Sequence, residues 1–397
     1  MMDLSVEIAG IKFRNPVMTA AGPPSMNGDA LMMAARAGAG GLVTKTISTV
    51  PAKVPRPNMA VLDRGETDYR IRYAIGGRVI SQQVLRVHIP RGMMNAELWT
   101  DLTYEQWIEK EIPKALSTGL PVIASIGYTA EDLRFLGPKI ERTGVSGIEF
   151  SLHYVGIDYK PILEIAKALR ESVDIPIFAK LSPHILNLEE FVRELERIGV
   201  DGIVAINSLG PGLTIDVETG KPILGGKMGY GWISGPAIRP LALRIVAEAA
   251  RSVRIPIIGV GGVMSGRDAI EFFMAGASAV QICTGAILEG PGIYGRVVRE
   301  IEQWLKQHGY DSVEDIKRIA LRYLPEEPIY DVGYAIVDEG KCKACGFCEK
   351  VCRYDAIHVK DVGGYEVAVV DSNKCYGCGM CVSVCPERAI SFSRRWI

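Results

Sequence analysis

The 397-residue sequence lacks several features that would have placed it early. No uncharged apolar run reaches the roughly 18 residues that a membrane-spanning helix needs. The opening MMDLSVEIAGIKFRN carries charges throughout and has no secretory core, so a cytoplasmic protein is expected. There is no excess of either charge. Lys plus Arg number 45 against 46 Asp plus Glu, which leaves no broad positive field for nucleic acid or anionic lipid. No G-x-G-x-x-G follows any apolar run, so the chain has no dinucleotide-binding fingerprint of its own. Cysteine is nearly missing from the first 341 residues, where only Cys283 occurs, and this argues against a disulfide framework. Hydrophobic residues at 48% and charged residues at 23% exclude a mainly disordered or fibrous chain.

Eight short, nearly continuous apolar runs occupy residues 16–290: VMTAAG, GLVTKTIS, PVIASIG, GIEFSLH, IPIFAKLS, GIVAINS, IPIIGVGG and AVQICTG. Strands covered on both faces read this way. Amphipathic stretches lie between them, including Tyr159 to Ser172 and Leu188 to Gly199. The pattern predicts an α/β fold, a (β/α)8 TIM barrel, with a doubly wound sheet as the competing architecture. SVEIAGIKF predicts a small hairpin turning at Ala9-Gly10. Residues 49–120, rich in Pro, Arg and Gly before a helix near Tyr104 to Gly119, are too long for a simple connection and predict a lid or substrate wall. Helical stretches after Gly290 end before Pro325 and Pro328. The expected division is a barrel over 1–310, a helical linker over 311–332 and a ferredoxin-like two-cluster domain over 333–397.

The cysteines missing from the barrel crowd into that last segment. CKACGFCEKVC and CYGCGMCVSVC each follow C-x2-C-x2-C-x3-C, and their first cysteines, Cys342 and Cys375, are 33 positions apart. The flanks VDEGKC and VDSNKC repeat as well, which marks an internal duplication. This spacing is that of a ferredoxin with two [4Fe-4S] clusters, in which the fourth cysteine of each run serves the other cluster. It assigns Cys342, Cys345, Cys348 and Cys385 to one cluster, and Cys375, Cys378, Cys381 and Cys352 to the second. Zinc ribbons, the alternative, separate their knuckles more widely. Arg353 stands where proline usually follows the fourth cysteine, whereas Pro386 is kept in the second run.

In a barrel the polar residues at the C-terminal ends of the strands share one face. Here they are Lys45, Lys180, Asn207 with Ser208, Gly261 with Gly262, and Cys283 with Thr284. GVGGV ahead of Ser265 and a helix suits a phosphate. A lone lysine at a strand end is often a snorkelling surface group, but two of them at the ends of apolar strands suggest a site.

TAAG, VTKTIS, MMNAEL, IPIFAKLSP, AINS, SGPAIRPLALR, GVGG and VQICTG, in this order, resemble the dihydroorotate dehydrogenase superfamily. With the tail included, the likeness is greatest to the flavin and C-terminal iron–sulfur portion of dihydropyrimidine dehydrogenase. The resemblance implies FMN, contacted by the backbone around Ala20, Ala21 and Gly22 and by Lys45, Thr46, Asn95 and Lys180. Gly235, Gly261, Gly262, Cys283 and Thr284 would complete its ribityl-phosphate site. Asn95, Glu149, Asn207 and Ser208 match substrate-gripping positions. The chain departs from the family after the fourth run, where relatives carry N-L-S-C-P-N or N-L-S-C-P-H with cysteine or serine as proton-transfer group. This sequence reads Glu149-Phe150-Ser151-Leu152-His153-Tyr154. Leucine transfers no proton, so His153, Lys45, Lys180 and Ser151 become the candidate catalytic groups. Tyr154 and His184 are further candidates for the acid, and a surface-loop histidine is the bland reading of His153.

The expected function is an FMN and iron–sulfur oxidoreductase acting on a CH–CH bond next to a carbonyl. It would be an oligomer that takes a small-molecule substrate and exchanges electrons with a separate subunit or ferredoxin. The alternatives are an electron-transfer subunit without a substrate of its own, and a phosphate-sugar barrel fused to a regulatory ferredoxin.

Overall fold

The computed structural model describes residues 2–75, 78–151 and 159–394. Two compact units emerge, Met1–Asp63 with Pro90–Arg322, and Arg64–Ile89 with Tyr323–Ile397. No helix among the described residues is long and apolar enough to cross a membrane.

The first unit is a TIM barrel. All eight apolar runs form strands: β1 (Val17–Thr19), β2 (Leu42–Val43), β3 (Val122–Ile126), β4 (Gly147–Ser151), β5 (Ile177–Lys180), β6 (Gly202–Ala205), β7 (Ile257–Val260) and β8 (Ala279–Ile282). They pair in parallel in chain order, and β8 returns to β1 with Val280 opposite Val17. A parallel bridge between Met18 and Gly41 joins β1 to the start of β2. This closed order replaces the open doubly wound sheet.

Strand alternation divides the side chains between two cores. Phe178 points inward to Met18, Val43, Ile123, Val204, Ile258 and Ala279, while its neighbours Ile177 and Ala179 face the outer helices. The hairpin of Val6–Ile8 and Ile11–Phe13 turns at Ala9-Gly10 as expected, both at positive φ, and adds Ile8 and Phe13 to the same inner core. That hairpin closes the barrel floor. Two residues further along, the inward positions of four strands change character to Lys45, Ser125, Lys180 and Gln281, all buried. The sequence thus sets an apolar floor below a polar mouth.

The outer helices form for ordinary reasons. Leu188–Ile198 buries Leu188, Phe191, Val192 and Leu195, one stripe at helical spacing, and stops at Gly199, whose φ of 93° suits glycine. Ser265 caps Gly266–Ala275 by accepting from the Asp268 amide, and the Asp268 carboxylate reaches back to the Ser265 amide at 2.8 Å.

The 49–120 insertion is more regular than its composition suggests. It contains two long neighbouring strands, Met59–Ile75 and Arg78–Asn95, and the end of the second pairs with Gly231–Ser234, Asn95 opposite Trp232. The helix expected near Tyr104 to Gly119 spans Tyr104–Leu116, with a π-helical turn at Trp107–Glu111 just before Pro113, which has no amide hydrogen to donate. After Gly290 there is one long helix, Ile293–His308, and then a short 3-10 turn at Ile319–Tyr323.

In the tail the duplication is visible in the backbone. The short helices Phe347–Val351 and Met380–Val384 each start at a left-handed glycine, Gly346 and Gly379. Asp355 and Arg388, equivalent positions in the two halves, share φ near 50°. Ala335–Val337 pairs with Ile390–Phe392, so the ends of the tail meet in one small sheet.

Candidate active site

The mouth of the barrel opens into a cavity of about 700 Å³. Every one of the eight strands contributes a residue at or just beyond its C-terminal end: Ala20, Lys45, Tyr128, Ser151, Lys180, Asn207, Gly261 and Cys283. The cavity also takes in Ala21, Gly22, Thr46, Asn95, Ser208, Gly235, Gly262 and Thr284. Residues that the sequence scatters over most of the chain therefore share one wall.

Two buried lysine–carboxylate pairs dominate its electrostatics. Lys45, 6% exposed, has its Nζ 2.5 Å from Oε2 of Glu97. Asn58 donates to the other oxygen of Glu97. Lys180, 5% exposed, lies with Nζ 3.3 Å from Oε1 of Glu149, and Gln281 Nε2 donates to Oε2 of Glu149 at 2.7 Å. Lys180 also donates to Gln281 Oε1 at 3.4 Å, closing a three-residue network. Buried ions persist when they are matched in this way.

Asn207 Nδ2 donates to Ser151 Oγ at 3.2 Å, leaving the serine's own proton free for a ligand. Thr46 and Ser125 share a hydrogen bond at 3.0 Å. Asn95 Nδ2 donates to the Trp232 carbonyl, holding the insertion against its neighbouring strand. Trp99 meets Tyr128 edge to face, with ring centroids 5.4 Å apart. Burial pushes the Tyr128 phenol up to about 12, so it remains protonated.

On another part of the wall, glycines leave room for a ligand's backbone-bound group. Gly235, Gly261 and Gly262 all have positive φ, and a Cβ on Gly262 would lie 2.7 Å from the Gly235 carbonyl oxygen. Thr284 Oγ1 donates to Ser234 Oγ at 2.9 Å. Such a loop set after β6, β7 and β8 presents amides where a phosphate can approach. Cys283 is part of the same wall; burial pushes its thiol up to about 11, and its sulfur packs where Gly22 has no side chain. It packs there as a small apolar residue.

Two sequence candidates sit elsewhere. Glu149 is fully buried but is not part of the cavity wall, because it pairs in register with Phe178, one inward position below Ser151 and Lys180. His184 does not line the cavity either; its ring lies 6.5 Å from Trp232, and its buried Nε2 has no hydrogen-bond partner among the described residues. His153 and Tyr154 fall outside the described residues. Sequence reasoning overlooked Glu97, Tyr128, Trp99, Trp232 and Gln281. Gln281 carried a usable signal, as the lone polar residue inside AVQICTG.

The tail holds two small cavities. Cys342, Cys345, Cys348 and Cys385 line one, and Cys352, Cys375, Cys378 and Cys381 line the other. Each set takes its fourth cysteine from the opposite half. Backbone amides point at the sulfurs: Ala335 to Cys375 at 3.4 Å, Ala356 to Cys352 at 3.3 Å and Ala389 to Cys385 at 3.3 Å. Amides aimed at sulfur suit negatively charged thiolates, the form that binds iron.

Residues 155–305 match the dihydroorotate dehydrogenase family. Residues 335–392 match the 4Fe-4S dicluster domain. Among curated proteins, the dihydroorotate dehydrogenase B (NAD(+)) catalytic subunit of Pyrococcus abyssi is 35% identical over 329 residues, which is 80% of this chain and 99% of that protein. The protein of the same name from Pyrococcus furiosus is 33% identical over 330 residues, 80% of this chain and 99% of its own. That of Geobacter sulfurreducens is 33% identical over 326 residues, 79% of this chain and 97% of its own. Each relative is matched nearly end to end, with about a fifth of this chain left over.

Proposed function

Because the chain belongs to the dihydroorotate dehydrogenase family, we propose that it is an FMN and iron–sulfur oxidoreductase acting on a carbon–carbon bond next to a carbonyl. It would exchange electrons with a separate partner through two [4Fe-4S] clusters. The observation that carries this reading is the single cavity that gathers the candidate cofactor residues at the barrel mouth.

The lining fits FMN. Gly235, Gly261, Gly262 and Thr284 form a cradle that a Cβ would fill, suited to the ribityl phosphate. Lys45, Thr46 and Lys180, with the backbone at Ala20, Ala21 and Gly22, would hold the ring system. When bound, FMN takes electrons in pairs from an organic substrate and returns them singly, the conversion that the tail's clusters require. Asn95, Asn207 and Ser208 would orient the substrate's polar edge. Ser151 would hold a proton at its Oγ, with Asn207 fixing that oxygen. Trp99, Tyr128 and Trp232 would keep water from the reacting face.

Among the described lining residues, both cations already face carboxylates, and Asp132 adds a further negative group. This favours an uncharged dihydropyrimidine over a carboxylated substrate. The name "catalytic subunit" carried by the relatives, together with the missing dinucleotide fingerprint, supports a partner that handles the nicotinamide.

The test is anaerobic isolation followed by visible spectroscopy and iron assay. FMN and iron should both be present. Dihydrouracil should bleach the flavin band and dihydroorotate should do so far less. NADH alone should leave the band unchanged. A colourless protein, or one whose flavin no dihydropyrimidine bleaches and whose reduced flavin no pyrimidine or enoate reoxidises, would overturn the enzyme reading and leave an electron-transfer subunit.

A further inference from the structure

We propose that Glu149 lowers the reduction potential of the bound flavin by neutralising Lys180 from the layer beneath, and that it is no substrate contact. The inference rests on the reading that FMN occupies the cavity. Glu149 is fully buried and absent from the cavity wall, whereas Lys180 and Gln281, the partners its carboxylate meets among the described residues, both belong to that wall. Its Oε2 accepts from Gln281 at 2.7 Å. Among the described residues its Oε1 has no hydrogen-bond partner, and it faces the Lys180 ammonium at 3.3 Å. The carboxylate can therefore act on the cavity only through its two neighbours, which makes it a positioning residue.

The electrostatic sign is fixed. Reduction adds negative charge to the flavin, and a lone buried cation beside it would favour that form. A carboxylate behind the same cation opposes the gain, in a setting where water screens little. Lys180 is thereby left as an oriented donor with its charge balanced. The flavin becomes a stronger reductant, the direction needed to pass electrons to the tail.

The test uses the full-chain holoprotein and a potentiometric titration of the flavin, with the cluster contribution fixed by EPR. Glu149→Gln keeps the size and removes the charge. It should shift the oxidised–reduced equilibrium at least tenfold toward the reduced form, about 30 mV for a two-electron couple. Lys180→Met should shift it the opposite way, and the double variant should return close to wild type. An FMN-loaded Glu149→Gln protein with an unmoved or lowered midpoint would overturn this inference alone. If the single variant does not fold, the double variant is compared with Lys180→Met: a higher midpoint supports the proposal and an equal one overturns it. A wild-type protein that takes up no FMN would instead overturn the functional reading beneath it.

Discussion

The barrel and the tail reach a site by opposite routes. The barrel cavity takes its lining from Ala20 through Thr284 and holds it on a large apolar core that includes Phe178, Phe191, Phe272 and Phe273. Each tail cavity takes three of its cysteines from one short run, and the buried apolar residues described around them are few and mostly small: Ala335, Ile357, Ala368 and Ile390, with Ala344, Ala356, Val367 and Ala389. The barrel can therefore stand before any cofactor arrives, while a tail with so little apolar burial depends on its metal to stay folded. Preorganisation lies in the chain in one region and in the cluster in the other.

The largest expected effect tests that contrast directly. Stripping iron anaerobically with a chelator should abolish protection of tail amides in hydrogen exchange and leave barrel amides protected; equal loss in both regions would erase the distinction. Next, replacing Cys348 or Cys385 by Ala should each halve the bound iron and leave the same residual EPR spectrum. Cys352→Ala and Cys378→Ala should share the other spectrum. Pairing by proximity instead, with Cys385 grouped with Cys378, would break the crossed assignment.

Within the barrel, Lys45→Ala leaves the largely buried Glu97 with only the exposed Arg56, 3.9 Å away, as its cation, and should lower stability by about 1–3 kcal/mol, read from chemical denaturation. Gly262→Ala places a Cβ 2.7 Å from a carbonyl oxygen at positive φ, and should cost about 1–3 kcal/mol and weaken FMN binding. At the small end, Arg193→Ala removes an exposed pair with Glu189 and should change stability by less than about 0.5 kcal/mol.

The strands were legible because residues covered on both faces write continuous apolar runs, and the clusters because ligand spacing is local. The insertion was harder. Runs such as RIRYAI and RVISQQVLRV alternate around Gly76-Gly77, the pattern of a hairpin, whereas the prolines and arginines nearby predict a lid or substrate wall without regular strands. Glu97 could not be paired with Lys45 from sequence, since the insertion brings them together across 52 positions. Glu149 was located on the right strand but at the wrong height. Counting by twos from Ser151 at the mouth would have put it in the layer below.

The hairpin under the barrel has a consequence for traffic. With Ile8 and Phe13 packed into the lower end, the described residues close the ring from below, and a small molecule entering at the mouth would leave by the same threshold. A spent product would stand in the way of its successor, so the rim residues would govern how quickly one guest yields to the next.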